Sequence, residues 1–166
     1  MDITITKNEF RIKGKSGVLN SRTNGVLISS TDGNTSKELF GAGEFEVSGI
    51  SVIGLATEEK ELVFIYEVDG LRICNLNNIT KKLSDSKASQ VGDVDILLLP
   101  VGPSSIEMMQ QLESYYVIPF GYANDEDLDK FLKESGMQVE KMTKFSLKKE
   151  EVIEESPTQI VVLEDK

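Results

Sequence analysis

Apolar and polar residues alternate from the first residues of the chain. Asp2–Thr6 and Glu9–Lys13 carry an apolar side chain at every second position, the period of half-buried strands. Gly25–Ser29 reads as a third strand, followed by Thr31-Asp-Gly-Asn-Thr-Ser36, a polar, turn-rich segment without periodicity. Gly41-Ala-Gly43 punctuates the chain before Glu44–Val47, and Gly49 separates that run from Ile50–Ala56 at the spacing of a tight hairpin. Glu61–Val68 and Leu71–Leu76 flank Asp69-Gly70, a strong hairpin signal because both residues tolerate positive φ.

The rhythm changes in the second half. Asp95–Pro100 contains the continuous apolar run Ile96–Leu99, which suits a strand buried on both faces. Ser104-Ser-Ile-Glu107 fits a capping box, with Ile106, Met109 and Leu112 as an apolar helical stripe. Tyr116–Phe120 reads as a strand. A second helix is predicted from Asn124 as N-cap, with three acids in its first turn, Leu128, Phe131 and Leu132 on its inner face, and Gly136 as its stop. Gln138–Leu147 and Thr158–Leu163 complete the strands, separated by acidic Lys148–Glu155. Hairpins followed by strand–helix alternation predict a mixed α/β fold, and no linker divides residues 1–166, which are read as one domain.

Composition narrows the chemistry. The 166 residues include no histidine and one cysteine. Mechanisms built on Ser-His-Asp, Cys-His or histidine-ligated zinc are thereby excluded, as is an internal disulfide. The formal net charge is −10, and residues 1–120 and 121–166 each sum to −5. Such a balance argues against a nucleic-acid partner. No signal peptide opens the chain and its longest apolar stretch is too short to span a bilayer, so no membrane association and a cytoplasmic location are expected.

Most local motifs have plain structural readings. Gly41-Ala-Gly43 lacks the third glycine and the following helix of a dinucleotide loop. Ser84-Asp-Ser-Lys87 matches Ser-x-x-Lys, without the companion elements, on a segment that reads as a capped surface helix. Asp93 and Asp95 could hold magnesium with Glu44 or Glu46, yet no third ligand is identifiable. The two Asn-x-Thr/Ser sequons, at Asn34 and Asn78, carry no weight without a secretion signal. Cys74 reads as a small core residue. Less easily set aside is Arg72-Ile-Cys-Asn75-Leu-Asn77-Asn78, three amides at the end of an apolar strand, where α/β proteins place functional groups and where Asn also favours turns.

Several segments, in order, resemble one family. Gly41-Ala-Gly-Glu-Phe-Glu-Val-Ser-Gly49, Tyr66-Glu-Val-Asp-Gly-Leu-Arg-Ile-Cys74, Val91–Gly102, Val117-Ile-Pro119 and Thr158–Glu164 are similar to segments of small metallo-β-lactamase-fold hydrolases akin to the L-ascorbate-6-phosphate lactonase. The resemblance implies an αββα sandwich, truncated here, with two mixed sheets and outer helices. It also implies metal ligands that this chain lacks. Asn75 stands at the histidine and Asn78 at the bridging aspartate of the family's His-Leu-Gly-Asp motif, Gly121 stands at a further histidine, and Ser29–Thr35 stands near the His-x-His-x-Asp-His signature. Zinc needs imidazole nitrogens and a carboxylate to lower the pKa of its water, and Asn and Gly supply neither.

The expected function is therefore that of a metal-free, inactive relative acting as a binding or interaction module, with no cofactor and no catalytic residue. Asp32, Asn34, Asn75, Asn78 and Gly121 are the candidates for lining a remnant cleft that could hold a small molecule through hydrogen bonds. Two other readings remain open: a structural subunit of a homo-oligomer or partner of an active paralogue, and a hydrolase using chemistry without histidine.

Overall fold

The structure, a computed structural model, describes residues 1–165. In chain order the elements are β1 (Asp2–Thr6), β2 (Glu9–Lys13), β3 (Gly17–Arg22), β4 (Gly25–Ser30), β5 (Ser36–Phe40), β6 (Gly43–Val47), β7 (Ile50–Ala56), β8 (Leu62–Val68) and β9 (Leu71–Asn75). There follow α1 (Asp85–Val91), β10 (Ile96–Pro100), α2 (Ser105–Leu112), β11 (Tyr116–Phe120), α3 (Asp125–Ser135), β12 (Gln138–Met142), β13 (Phe145–Ser146) and β14 (Gln159–Leu163).

The strands form two sheets, ordered β13-β1-β2-β3-β4-β5 and β12-β14-β11-β10-β9-β8-β7-β6. Pairing is antiparallel throughout the first, while the second is mixed, its parallel half running from β12 to β9. One apolar layer lies between the sheets, built from alternate residues such as Ile3, Ile12, Leu19, Ile28, Tyr66 and Leu98. A second lies outside the larger sheet, where Cys74, Leu97, Leu99 and Val117 meet Val91, Met109, Leu112 and Phe131 of the helices. The run Ile96–Leu99 is continuous because its alternate residues serve the two layers. The three α-helices pack on that one outer face, and among the described residues none covers the outer face of the smaller sheet.

Local chemistry explains the turns. Lys7 and Asn8 both take positive φ, the two-residue turn whose twist matches a hairpin, and Asp69-Gly70 does the same at its predicted place. Asn124 caps α3 through Asp127 N at 2.9 Å, and Gly136 ends it at φ 62°. The expected capping box at Ser104 does not form. Ser104 makes no side-chain cap bond, and Ser105 Oγ instead accepts from Gly102 N at 2.7 Å while donating toward the Pro100 and Gly102 carbonyls.

Two strands lack a clear sequence signal. β3 and β5 hold few apolar residues; each buries one, Leu19 and Leu39, in the core and is completed by pairing, β3 with β2 and β4, β5 with β4. Gln138–Leu147, expected as one strand, divides at Thr143–Lys144: β12 joins the larger sheet and β13 the smaller.

Candidate functional site

Four parallel strands, β9, β10, β11 and β14, end at the same rim of the sandwich, the place where α/β folds gather functional groups. Asn75 closes β9 there and Gly121 follows β11. The β1–β2 turn reaches the same rim, for Asn8 Oδ1 accepts from Gly121 N at 3.2 Å and Asp165 accepts from Lys7 N at 3.0 Å.

Asn75 is only 4% exposed, and both ends of its amide are bonded within the fold. Its Nδ2 donates to Tyr66 Oη at 3.2 Å, and its Oδ1 accepts from Asn77 N at 2.9 Å. The second bond makes a turn that holds Asn77 at φ 53°, in the left-handed region that Asn tolerates. Asn78, three residues beyond Asn75, faces solvent, as does Gly121. Burial pushes the Tyr66 phenol upward despite the Asn75 bond, and pushes the Cys74 thiol up to about 12. Neither is poised to act as a base or nucleophile near neutral pH.

Asp32 and Asn34 lie at the other end. The loop after β4 leaves the sandwich at the rim that holds the Asp69-Gly70 turn: Thr31 N donates to Ser16 O at 3.2 Å, and Lys15 N donates to Asp69 Oδ1 at 3.0 Å. The cause is topological. Arg22 and Gly25 pair across a two-residue connection, so β4 runs antiparallel to β3, which itself points toward the Asn75 rim. Asp32 and Asn34 bond to one another instead, through Asn34 N and Nδ2, each at 3.0 Å. Hydrogen bonds from Ser30 and Asn34 hold the Asp32 carboxyl below its usual range. The five candidates thus form two groups at opposite rims, and the expectation that they line one cleft is corrected on this point.

Other candidates find structural partners. Ser84 caps α1, accepting from Lys87 N at 3.3 Å. Asp95 is buried and bonds Lys149 Nζ at 2.9 Å and Arg72 N at 2.8 Å. β6, which bears Glu44 and Glu46, stands four strands from β10, ~19 Å by strand spacing, so Asp95 has no help from them toward a metal. The Asp95–Lys149 pair was not legible in the sequence, since 54 residues separate its members.

The donor set does not fit zinc. The chain has no imidazole, and among the described residues no three Cys, Asp or Glu side chains converge as a metal site. Asn75, where the resemblance implies a ligand, carries no charge, is buried, and has its amide oxygen engaged by Asn77 N.

A family model for the β-lactamase superfamily domain matches residues 12–121. The chain belongs to the β-lactamase superfamily. Among solved structures, this superfamily member is similar to a Thermotoga maritima protein described as a candidate zinc-dependent hydrolase of the metallo-β-lactamase superfamily. The two are 18% identical, the match covers 99% of each chain, and the TM-score is 0.69. At that identity the likeness shows the fold, the two packed sheets with their helices, and its full cover of both chains shows that a superfamily fold of this size is not peculiar to this sequence. No curated protein matches the chain. No helix among the described residues is long and apolar enough to cross a membrane.

Proposed function

We propose that this superfamily member is a metal-free binding module that does not carry out metal-dependent hydrolysis. The observation that supports the reading best is the state of Asn75. The residue at an implied ligand position is buried, and its two polar ends are committed to Tyr66 and Asn77. A carboxamide so bonded stabilises the strand end, whereas a metal ligand needs a lone pair aimed at a shared point. The chemistry that activates water in the fold family is absent with the imidazoles, while the sandwich that carried it is intact.

The test is the zinc content of tag-free protein, produced in zinc-supplemented medium and dialysed, together with turnover of lactone, ester and phosphodiester substrates. Metal far below one equivalent and no turnover are expected. Stoichiometric zinc that survives dialysis would overturn the reading.

A further inference from the structure

The smaller sheet presents an uncovered outer face, and its charge is opposite in sign to that of the whole chain. A hollow of about 770 Å³ lies over β1, β2 and β3, lined by Lys7, Arg11, Lys13 and Lys144 with Thr4 and Asn20 between them. Its two carboxylates are already engaged. Glu9 pairs with Arg22 at 2.7 Å, and Asp2 accepts from Ser146 Oγ at 2.7 Å beside Lys144. The side chains of Lys7, Arg11 and Lys13 make no ion pair or hydrogen bond among the described residues. Register continues the face sideways through Arg11, Asn20, Leu27 and Glu38, with Phe40, which is 64% exposed, two residues further along β5. The face is therefore basic over β1 and β2, with Leu27 and Phe40 flanking Glu38 at its margin, on a protein of net charge −10.

The complement to that surface is present on the same chain. Ile153 is 71% exposed, more than any other large apolar residue described, and it is flanked by Glu150, Glu151, Glu154 and Glu155. The segment is held in place rather than loose: Val152 packs against the inter-sheet core, Lys149 is tied to Asp95, and Thr158 Oγ1 donates to Ser114 O at 2.7 Å. An acidic, apolar knob thus projects from the rim opposite Asn75; Glu150 shares a hollow with Lys13 and Asp2 at the border of the basic face, and among the described residues no knob carboxylate pairs with Arg11 or Lys13.

We propose that the occupant of the basic sheet face is a second copy of this chain, docked through its Glu150–Glu155 knob. Carboxylates meet Arg11 and Lys13, and Ile153 meets the apolar margin near Leu27. The two patches differ, so the contact is head-to-tail and extends to rings or chains of copies. Nucleic acid is disfavoured as the occupant, since the surrounding protein is acidic and the hollow offers no exposed aromatic ring for stacking. The proposal rests on the reading of the chain as a binding module, which metal content tests separately.

Light scattering over a range of protein concentrations decides it. In ~0.01 M salt, where charges act over about 30 Å, the mass per particle is expected to rise beyond that of one chain; in ~1 M salt, with a reach of about 3 Å, it should fall back. The double variant Arg11→Glu, Lys13→Glu and the single variant Ile153→Asp should each be monomeric, with unchanged circular dichroism. Mixed together they should form a one-to-one pair and nothing larger, because one retains the knob and the other the face. A wild-type monomer under every condition, association untouched by the variants, or a mixture that fails to pair would overturn the proposal. So would tighter, Arg11-dependent capture of a single-stranded RNA probe than of a second copy.

Discussion

Asn75 and Tyr66, on adjacent strands of the larger sheet, share a hydrogen bond of 3.2 Å in a site closed to solvent. Removing the phenol oxygen by Tyr66→Phe leaves the Asn75 Nδ2 without its acceptor, at an expected cost of about 1–2 kcal/mol. Asn75→Ala strips the Tyr66 partner and also the turn that holds Asn77 at positive φ, so its cost should be larger, about 2–3 kcal/mol. Urea unfolding of both variants and of the double variant measures this; purely additive losses would show that the two side chains are not coupled.

Alkaline pH should weaken the fold before acid chemistry does anything comparable to these two groups. The Cys74 thiol is raised from an ordinary 9.0 to about 12, and the Tyr66 phenol is raised above its ordinary 10.0. Both are neutral in the folded chain, so the unfolded chain releases protons first. Their stabilisation is complete below pH 9 and is lost as pH rises through 9 toward 12. Melting temperature followed from pH 8 to 11 should therefore fall above 9, and Cys74→Ala should make the fall shallower.

Asp95 joins three parts of the chain through Lys149 and the Arg72 backbone. Asp95→Ala leaves the Arg72 N–H and the ammonium without their acceptor and should cost about 1.5–3 kcal/mol. Lys149→Met keeps the bulk near the carboxylate and removes the charge, so it separates the ion pair from the Arg72 bond. Chemical denaturation of the two variants reads the difference, and equal losses would place the whole effect on the ion pair.

Gly54 sits where β7 passes the Gly41–Ala42 turn, and a Cβ there would stand 2.3 Å from Gly41 O. Backbone, not a flexible side-chain end, must move to admit it. Gly54→Ala should destabilise by about 1–3 kcal/mol and loosen β6, with faster amide exchange across Gly43–Val47. Protection unchanged in β6 would show that the turn adapts.

Much of both sheets was legible in the residues themselves. Alternation in Glu9–Lys13, the Asp69-Gly70 turn and the continuous run at Ile96–Leu99 each report a local rule, and the structure follows all three. β3 and β5 were not legible, because each turns a single apolar side chain, Leu19 or Leu39, to the core and relies on pairing with neighbouring strands for the rest. Nor was the division of Gln138–Leu147, where the chain crosses between layers and no periodicity changes. For the candidate site, Asn75 and Gly121 stand at strand ends, whereas the family resemblance of Ser29–Thr35 groups Asp32 and Asn34 with them. The two-residue connection at Arg22–Gly25 reverses β4 and sends them to the far rim.

By itself the sequence determined what the protein lacks: with no histidine, the chain offers no imidazole to a metal, whatever the folding. It also set the charge and the alternation that select two sheets. Tertiary structure alone decided which residues are neighbours. Strand direction separates the five candidates, strand pairing joins Asn75 to Tyr66, and the sheet gathers Arg11, Asn20 and Lys144 into one surface. Those relationships depend on register and topology, which act between segments distant in the chain and leave no mark on either segment read alone.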